Sequence, residues 1–161
     1  MTQAHDHATD FVILLQRGCE TGCIKYINKY NDFYDTPVDG WSSLMRAIAF
    51  RRKNTVIELI RKGANVNYKS LGGSTCLELI CIYKYENLAI ILIEAGAIFV
   101  NIIDSHIVKY NCNQVIQHIK NVYRKQIISV IDSESTDNAL AVSFKTVYVA
   151  GIIDIISEFI I

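Results

Sequence analysis

Between residues 39 and 101 the hydrophobic and polar positions recur at a fixed offset. The stretch DGWSSLMRAIAFRRKNTVIELIRKGANVNYKS falls on GGSTCLELICIYKYENLAIILIEAGAIFVN when Gly63-Ala64 is laid on Gly96-Ala97, an offset of 33 residues (96 − 63) that also places Leu44 on Leu77. A period of that length marks a repeat architecture. Within each unit, Asp39-Gly40 and Gly72-Gly73 are turn dipeptides, because glycine tolerates positive φ. Ser42 and Thr75 follow where a hydroxyl can cap the first free N–H groups of a helix. A short inner helix comes next, with Ala47 in one unit and Ile80 and Cys81 in the other on the face that meets a neighbour. Val56, Leu59 and Ile60, then Leu88, Ile91 and Leu92, fall on one face of an outer helix. Gly63 and Gly96 stand where a helix ends in a left-handed residue. Each unit therefore reads as turn, helix, turn, helix.

The flanks carry weaker copies. In residues 8–38, Phe11, Val12, Leu14 and Leu15 suit an inner helix, Gly18 a bend, and Cys23, Ile24 and Ile27 the start of an outer helix, before a longer turn containing Phe33, Tyr34 and Pro37. Beyond Asn101, the positions Val115, Ile116, Ile119, Val122, Tyr123, Ile127, Val130 and Ile131 make a helical stripe that fits one long helix or two short ones. Residues 133–138 are a polar connection, and Ala139, Leu140 and Phe144 followed by Ile152, Ile153, Ile155, Ile156 and Phe159 imitate a last helix pair. The expected chain is a single all-α domain of about five units, approximately 8–38, 39–71, 72–104, 105–134 and 135–161. The terminal units are degenerate, as the ends of a stacked array must be.

DGWSSLMRA with IELIRKGANVN, and more loosely GGSTCLELI with AIILIEAGAIFVN, resemble the ankyrin repeat, whose unit opens with a DG-x-TPLH-x-A turn and closes on LLL-x-x-GADVN. The resemblance implies an α-solenoid. The family's Pro and His after the turn are here Ser43 and Met45, then Cys76 and Glu78, so the turn-to-turn hydrogen bond of that His is absent. The Gly between the two helices is replaced by Arg51 and Lys84. The abundance of Ile, Asn, Lys and Tyr is similar to that of short, diverged ankyrin proteins of giant DNA viruses.

Composition narrows the function. Hydrophobic residues make up 51% of the 161 and charged ones 20%, with one Pro, which is the composition of a folded chain. The formal net charge is zero, which removes the broad basic field of a general nucleic-acid binder. No apolar run reaches the ~18 residues of a membrane span, and MTQAHDHATD lacks the pattern of a signal peptide. An intracellular, cytoplasmic protein is expected. Five Cys, an odd number, read as reduced thiols, and their spacings do not match a zinc site. His5 and His7 are expected on a frayed terminus.

No nucleophile motif, phosphate loop or placeable carboxylate pair is present, so an enzyme is disfavoured and neither cofactor nor metal is expected. The resemblance instead implies a protein-binding module whose turn tips and inner helices form a concave face. Carried over by position, that face contains Trp41, Phe50, Arg51, Arg52, Tyr83, Lys84 and Tyr85, with Tyr68 on a turn tip and Gln16 and Arg17 from the first unit. Trp, Tyr and Arg are the residue types enriched in binding hot spots. Trp41 equally suits packing over the next turn, Phe50 the core, and Arg51 and Arg52 a solvated bend. Tyr83 and Tyr85 cannot both point inward on a regular helix, so at least one is expected to be accessible. The expected partner is a protein, acidic or extended, engaged by a monomer. The alternative is a structural component acting through self-association, for example in a viral particle.

Overall fold

The computed structural model describes residues 2–133, and the expected unit 135–161 lies outside them. Contacts divide the chain into two compact units, Met1–Cys112 and Asn113–Ile161. Among the described residues the chain is mostly helical and has no strand; two isolated bridges, Val38 with Trp41 and Lys69 with Thr75, close turns. The first unit contains three helix pairs: α1 (Gln3–Arg17) with α2 (Glu20–Lys29), α3 (Ser43–Ala49) with α4 (Lys53–Arg61), and α5 (Cys76–Ile82) with α6 (Glu86–Glu94). The members of each pair pack together. In addition, α3 lies between α1 and α5, and α4 lies between α2 and α6.

Local chemistry sets the ends of these short helices. The Ser42 hydroxyl accepts from the Met45 N–H at 3.3 Å. Thr75 accepts from Glu78 N–H while the Glu78 carboxylate accepts from Thr75 N–H at 2.8 Å, a reciprocal cap. Both caps are as the hydroxyl positions predict. At the far end of α3, Arg51 has φ 61°, and the Arg51 and Arg52 amides donate back to the Ile48 and Ala47 carbonyls. Lys84 repeats this with φ 56° and bonds from Lys84 and Tyr85 to Cys81 and Ile80. Gly18 (φ 78°) occupies the same place after α1, so left-handed residues recur at 18, 51 and 84, one every 33 positions. Gly63 and Gly96 close α4 and α6 in the same way.

The core follows the expected stripes in part. Leu44, Ala47, Val56, Leu59, Leu77, Ile80, Cys81, Leu88 and Leu92 are buried, whereas Ile60 and Ile91 are half-exposed and Ala89 and Ile93 take their place in the interior. Side chains of the turns link one turn to the next. Asp35 accepts from the Asn65 N–H at 2.8 Å, and Asn67 both accepts from the Ile98 N–H and donates to the Gly96 carbonyl.

The first pair differs most from expectation. It begins at Gln3, before position 8, and His7 sits inside α1 instead of on a frayed end. The His7 ring stacks on Tyr30 at 4.0 Å and its Nδ1 lies 2.8 Å from Asp32. Those partners are contributed by the C-cap of α2 and the turn after it, which a reading of the first ten residues alone does not see. Beyond α6, a 3-10 turn (Val100–Ile102) leads into a π-helical segment (Ile103–Val108) that packs on α5. It ends on a further left-handed residue, Asn111, whose N–H donates to the Val108 carbonyl while that of Cys112 donates to Ile107. The second unit is described by α7 (Asn113–Ser133), one continuous helix, which decides between the one-helix and two-helix readings of that stripe. The expected unit 105–134 thus straddles the division of the chain after Cys112.

Left-handed backbone costs a side-chain-bearing residue roughly 1 kcal/mol relative to glycine. Nothing lies within 4 Å of the position a Gly63 Cβ would take, so Gly63→Val loses about 1 kcal/mol or more through backbone strain alone. Lys84→Gly does the reverse and leaves stability unchanged or raised by up to ~1 kcal/mol. Urea unfolding of the two variants checks both signs, and equal midpoints would reject the assignment of strain.

Candidate binding surface on the inner helices and bends

The residues expected to form one face separate into three groups. Trp41 is half-buried at the end of the tight turn that pairs it with Val38, and the Arg46 guanidinium carbon lies 5.6 Å from its ring centre. Arg46 is fixed there by hydrogen bonds to the Val38 carbonyl at 2.9 Å and to the Asp39 carboxylate at 3.2 Å. Arg52 is half-buried, and its Nη2 donates to the Leu15 carbonyl at 3.4 Å. Its guanidinium fills the space above Gly18, where a Cβ would stand 2.9 Å from Nη2. Arg52 therefore joins the second pair to the first, and its inward packing leaves little of it to offer a partner.

The third group is the one that comes together. The Arg51 guanidinium lies 5.9 Å from the centre of the Tyr83 ring, and the Tyr83 and Tyr85 rings are 6.0 Å apart. Arg51 and Lys84 are exposed; Tyr83, Tyr85 and Phe50 are half-buried. Tyr83 and Tyr85 avoid the geometric conflict of a regular helix because they flank the left-handed Lys84, Tyr83 ending α5 and Tyr85 preceding α6. Tyr68 lies in the turn between α4 and α5, and among the described residues no ring contact joins it to this cluster.

Two exposed apolar side chains, Ile13 on α1 and Ile82 on α5, 39% and 43% exposed, were missed by the sequence reading. Leu71, on the turn tip with Tyr68, is 91% exposed beside Gly40. The 33-residue offset held a signal for them. It puts Ile13 on Arg46 and Leu79, and Gln16 on Ala49 and Ile82, which are helix positions without a buried counterpart. Together these give the row formed by α1, α3 and α5 an outward surface of aliphatic, aromatic and guanidinium groups.

An open groove of about 740 Å³ lies between the turn after α2 and the end of α4, lined in part by Asn28, Asp32, Tyr34, Asp35 and Lys62. Its main polar groups are already engaged: Tyr34 donates to the Ile27 carbonyl, Asp35 binds the Asn65 amide and Asp32 binds His7. No group of three His, Cys, Asp or Glu side chains suited to a metal is found among the described residues, and no helix there is long and apolar enough to cross a membrane.

The five thiols are free. Burial pushes Cys76 and Cys81 up to about 12 and also raises Cys23 and Cys112, while the Thr21 hydroxyl and then the Gly22 amide hold the exposed Cys19 below its ordinary value. No family model matches the chain, and neither a curated protein nor a solved structure does.

Because only the thiolate is a good nucleophile, an aromatic disulfide reagent at about pH 8 titrates Cys19 promptly and the other four thiols only after unfolding. Rapid release from more than one thiol in the native protein would contradict this burial. The folded pKa of Cys76 and Cys81 lies above the unfolded value near 9.0, so their contribution to stability is intact below that pH and is lost as pH rises through the interval up to about 12.

Proposed function

We infer that the chain is a diverged ankyrin-repeat protein whose non-enzymatic task is to bind a protein partner on the outward surface of α1, α3, α5 and their adjoining turns and bends. The repeat reading is supported by the left-handed residues at 18, 51 and 84, the matching pair at 63 and 96, and the caps at Ser42 and Thr75. The observation that carries the binding reading is the cluster of Arg51, Tyr83 and Tyr85 beside exposed Ile82. These side chains offer rigid aromatic area and guanidinium donors next to aliphatic surface, the composition of a hot spot surrounded by contacts that exclude water. Lone exposed aliphatic residues are ordinary on any protein; here Ile82 immediately precedes Tyr83 of the aromatic and cationic cluster.

A second reading, self-association into an assembly, is favoured by Leu71, Ile98 and Val100, which are 91%, 62% and 60% exposed in the turns. Sedimentation velocity over a range of concentrations separates the two, because assembly through those turns makes the mass concentration-dependent and a Leu71→Ser/Ile98→Ser variant abolishes that dependence.

The binding reading is tested by quantitative affinity capture with wild type and an Ile82→Asp/Tyr83→Ala variant, whose changes fall on exposed and half-exposed positions. A partner retained by wild type and reduced at least about tenfold with the folded variant, the loss expected of one or two anchors of about 2 kcal/mol, supports the assignment. An identical set of partners with both proteins overturns it.

A further inference from the structure

The four bends at Gly18, Arg51, Lys84 and Asn111 are fastened to one another along one edge. Arg52 bonds to Leu15 and covers Gly18, and the Glu20 carboxylate accepts from the Asn54 and Thr55 amides at 2.7 and 3.2 Å, linking the first bend to the second. Arg51 against Tyr83 links the second to the third. The Cys112 thiol points to the Cys81 carbonyl at 3.9 Å, linking the third to the fourth.

This edge has a consistent chemistry. Arg17, Arg51, Arg52, Lys53, Lys84 and Lys109 belong to it, and all but Arg52 are exposed. Two carboxylates stand among them, Glu20 and Glu86. Glu20 is fully engaged at the start of α4, which leaves the edge cationic in a chain of zero formal charge. Aromatic rings alternate with the cations. Tyr83 carries Arg51, and at the fourth bend Lys109 lies 5.7 Å from the centre of the Tyr110 ring, which in turn is 6.0 Å from His106. Arg51 and Lys84 also hold their charge at positions where left-handed backbone favours glycine.

The geometry points to this edge of bends as a docking strip for an acidic, extended protein segment, engaged by Arg51, Lys84 and Lys109 with the intervening tyrosines as walls. The inference rests on the protein-binding reading above and specifies the partner's chemistry. Charge complementarity selects the occupant. A nucleic acid would also find cations here, but single-stranded binding depends on open aromatic faces for base stacking, and Tyr83 and Tyr110 each have a cation of their own over the ring. What they direct outward is guanidinium and ammonium N–H, which suits carboxylates. Helices in contact lie about 8–10 Å apart, so four bends span roughly 30 Å, the reach of about nine extended residues.

The test is fluorescence anisotropy with the full chain and three labelled probes: a peptide of about ten alternating Glu and Thr residues, sized by that span, its Gln-for-Glu counterpart, and an oligouridylate of similar length. The acidic peptide is expected to bind wild type at low salt and to weaken as ionic strength rises. The Gln peptide is expected to bind at least about tenfold more weakly. Arg51→Gly/Lys84→Gly, which removes two charges while relieving the left-handed backbone, and separately Lys109→Ala, are each expected to lower affinity severalfold. Arg61→Ala, which removes an exposed cation from α4 and away from the strip, is expected to leave it unchanged. Equal binding of the Gln peptide, or unaltered binding by both bend variants, overturns the proposal; so does oligouridylate that binds more tightly than the peptide and is lost with the same variants, which assigns the strip to nucleic acid. Capture that depends on Ile82 while the peptide fails to bind would leave the protein-binding reading standing without this strip, whereas peptide binding without any face-dependent partner would reject the wider surface alone.

Discussion

Helices of seven and nine residues cannot stand alone, and that constraint governs the first unit. Helix nucleation fixes several residues for a single hydrogen bond, so isolated helices shorter than about 12–15 residues are marginal in water. Here α3 and α5 have seven residues each and α4 and α6 nine. They persist because each has a partner within its pair and a neighbour in the next pair. Buried leucines such as Leu44, Leu59, Leu77 and Leu92 sit where those contacts meet, each contributing on the order of 2 kcal/mol by transfer from water.

Such packing requires sharp, reproducible reversals of the chain, and these come from the left-handed residues with their paired backbone hydrogen bonds. The bends also set the placement of charge against backbone stability. Arg51 and Lys84 adopt a conformation that glycine would adopt more easily, yet they place charge beside Tyr83 and Tyr85 at an exposed edge. Strain of this kind persists where the surroundings over-determine it, and the two amides donating back into α3 and α5 do that here.

The links between successive pairs are made by polar side chains that reach across to backbone. Glu20 caps α4 from the preceding pair, Arg52 reaches back to Leu15, and Asp35 and Asn67 each bind the turn that follows. The bond to Thr55 contributes most, because its loss strands the amide of a buried residue. These contacts fasten successive pairs, and they leave the outward side chains of α1, α3 and α5 available.

The residues by themselves determined what depends on neighbours along the chain: the period of 33, the caps at Ser42 and Thr75, and the left-handed ends at Gly63 and Gly96. Each of those is settled within a few residues by hydroxyl reach or by the missing Cβ of glycine. Tertiary structure alone decided the rest. Which face His7 and Arg52 turn to, the grouping of Arg51 with Tyr83 and Tyr85, and the exposure of Ile13 and Ile82 all depend on residues about 23 to 37 positions away or on another pair altogether. The π-helical segment before Asn111 carries no turn dipeptide or hydroxyl cap of its own, and its place against α5 follows from burying Ile102 and Ile107. A one-dimensional pattern records which residues are apolar; which of them a neighbouring helix covers is a property of the packed pairs.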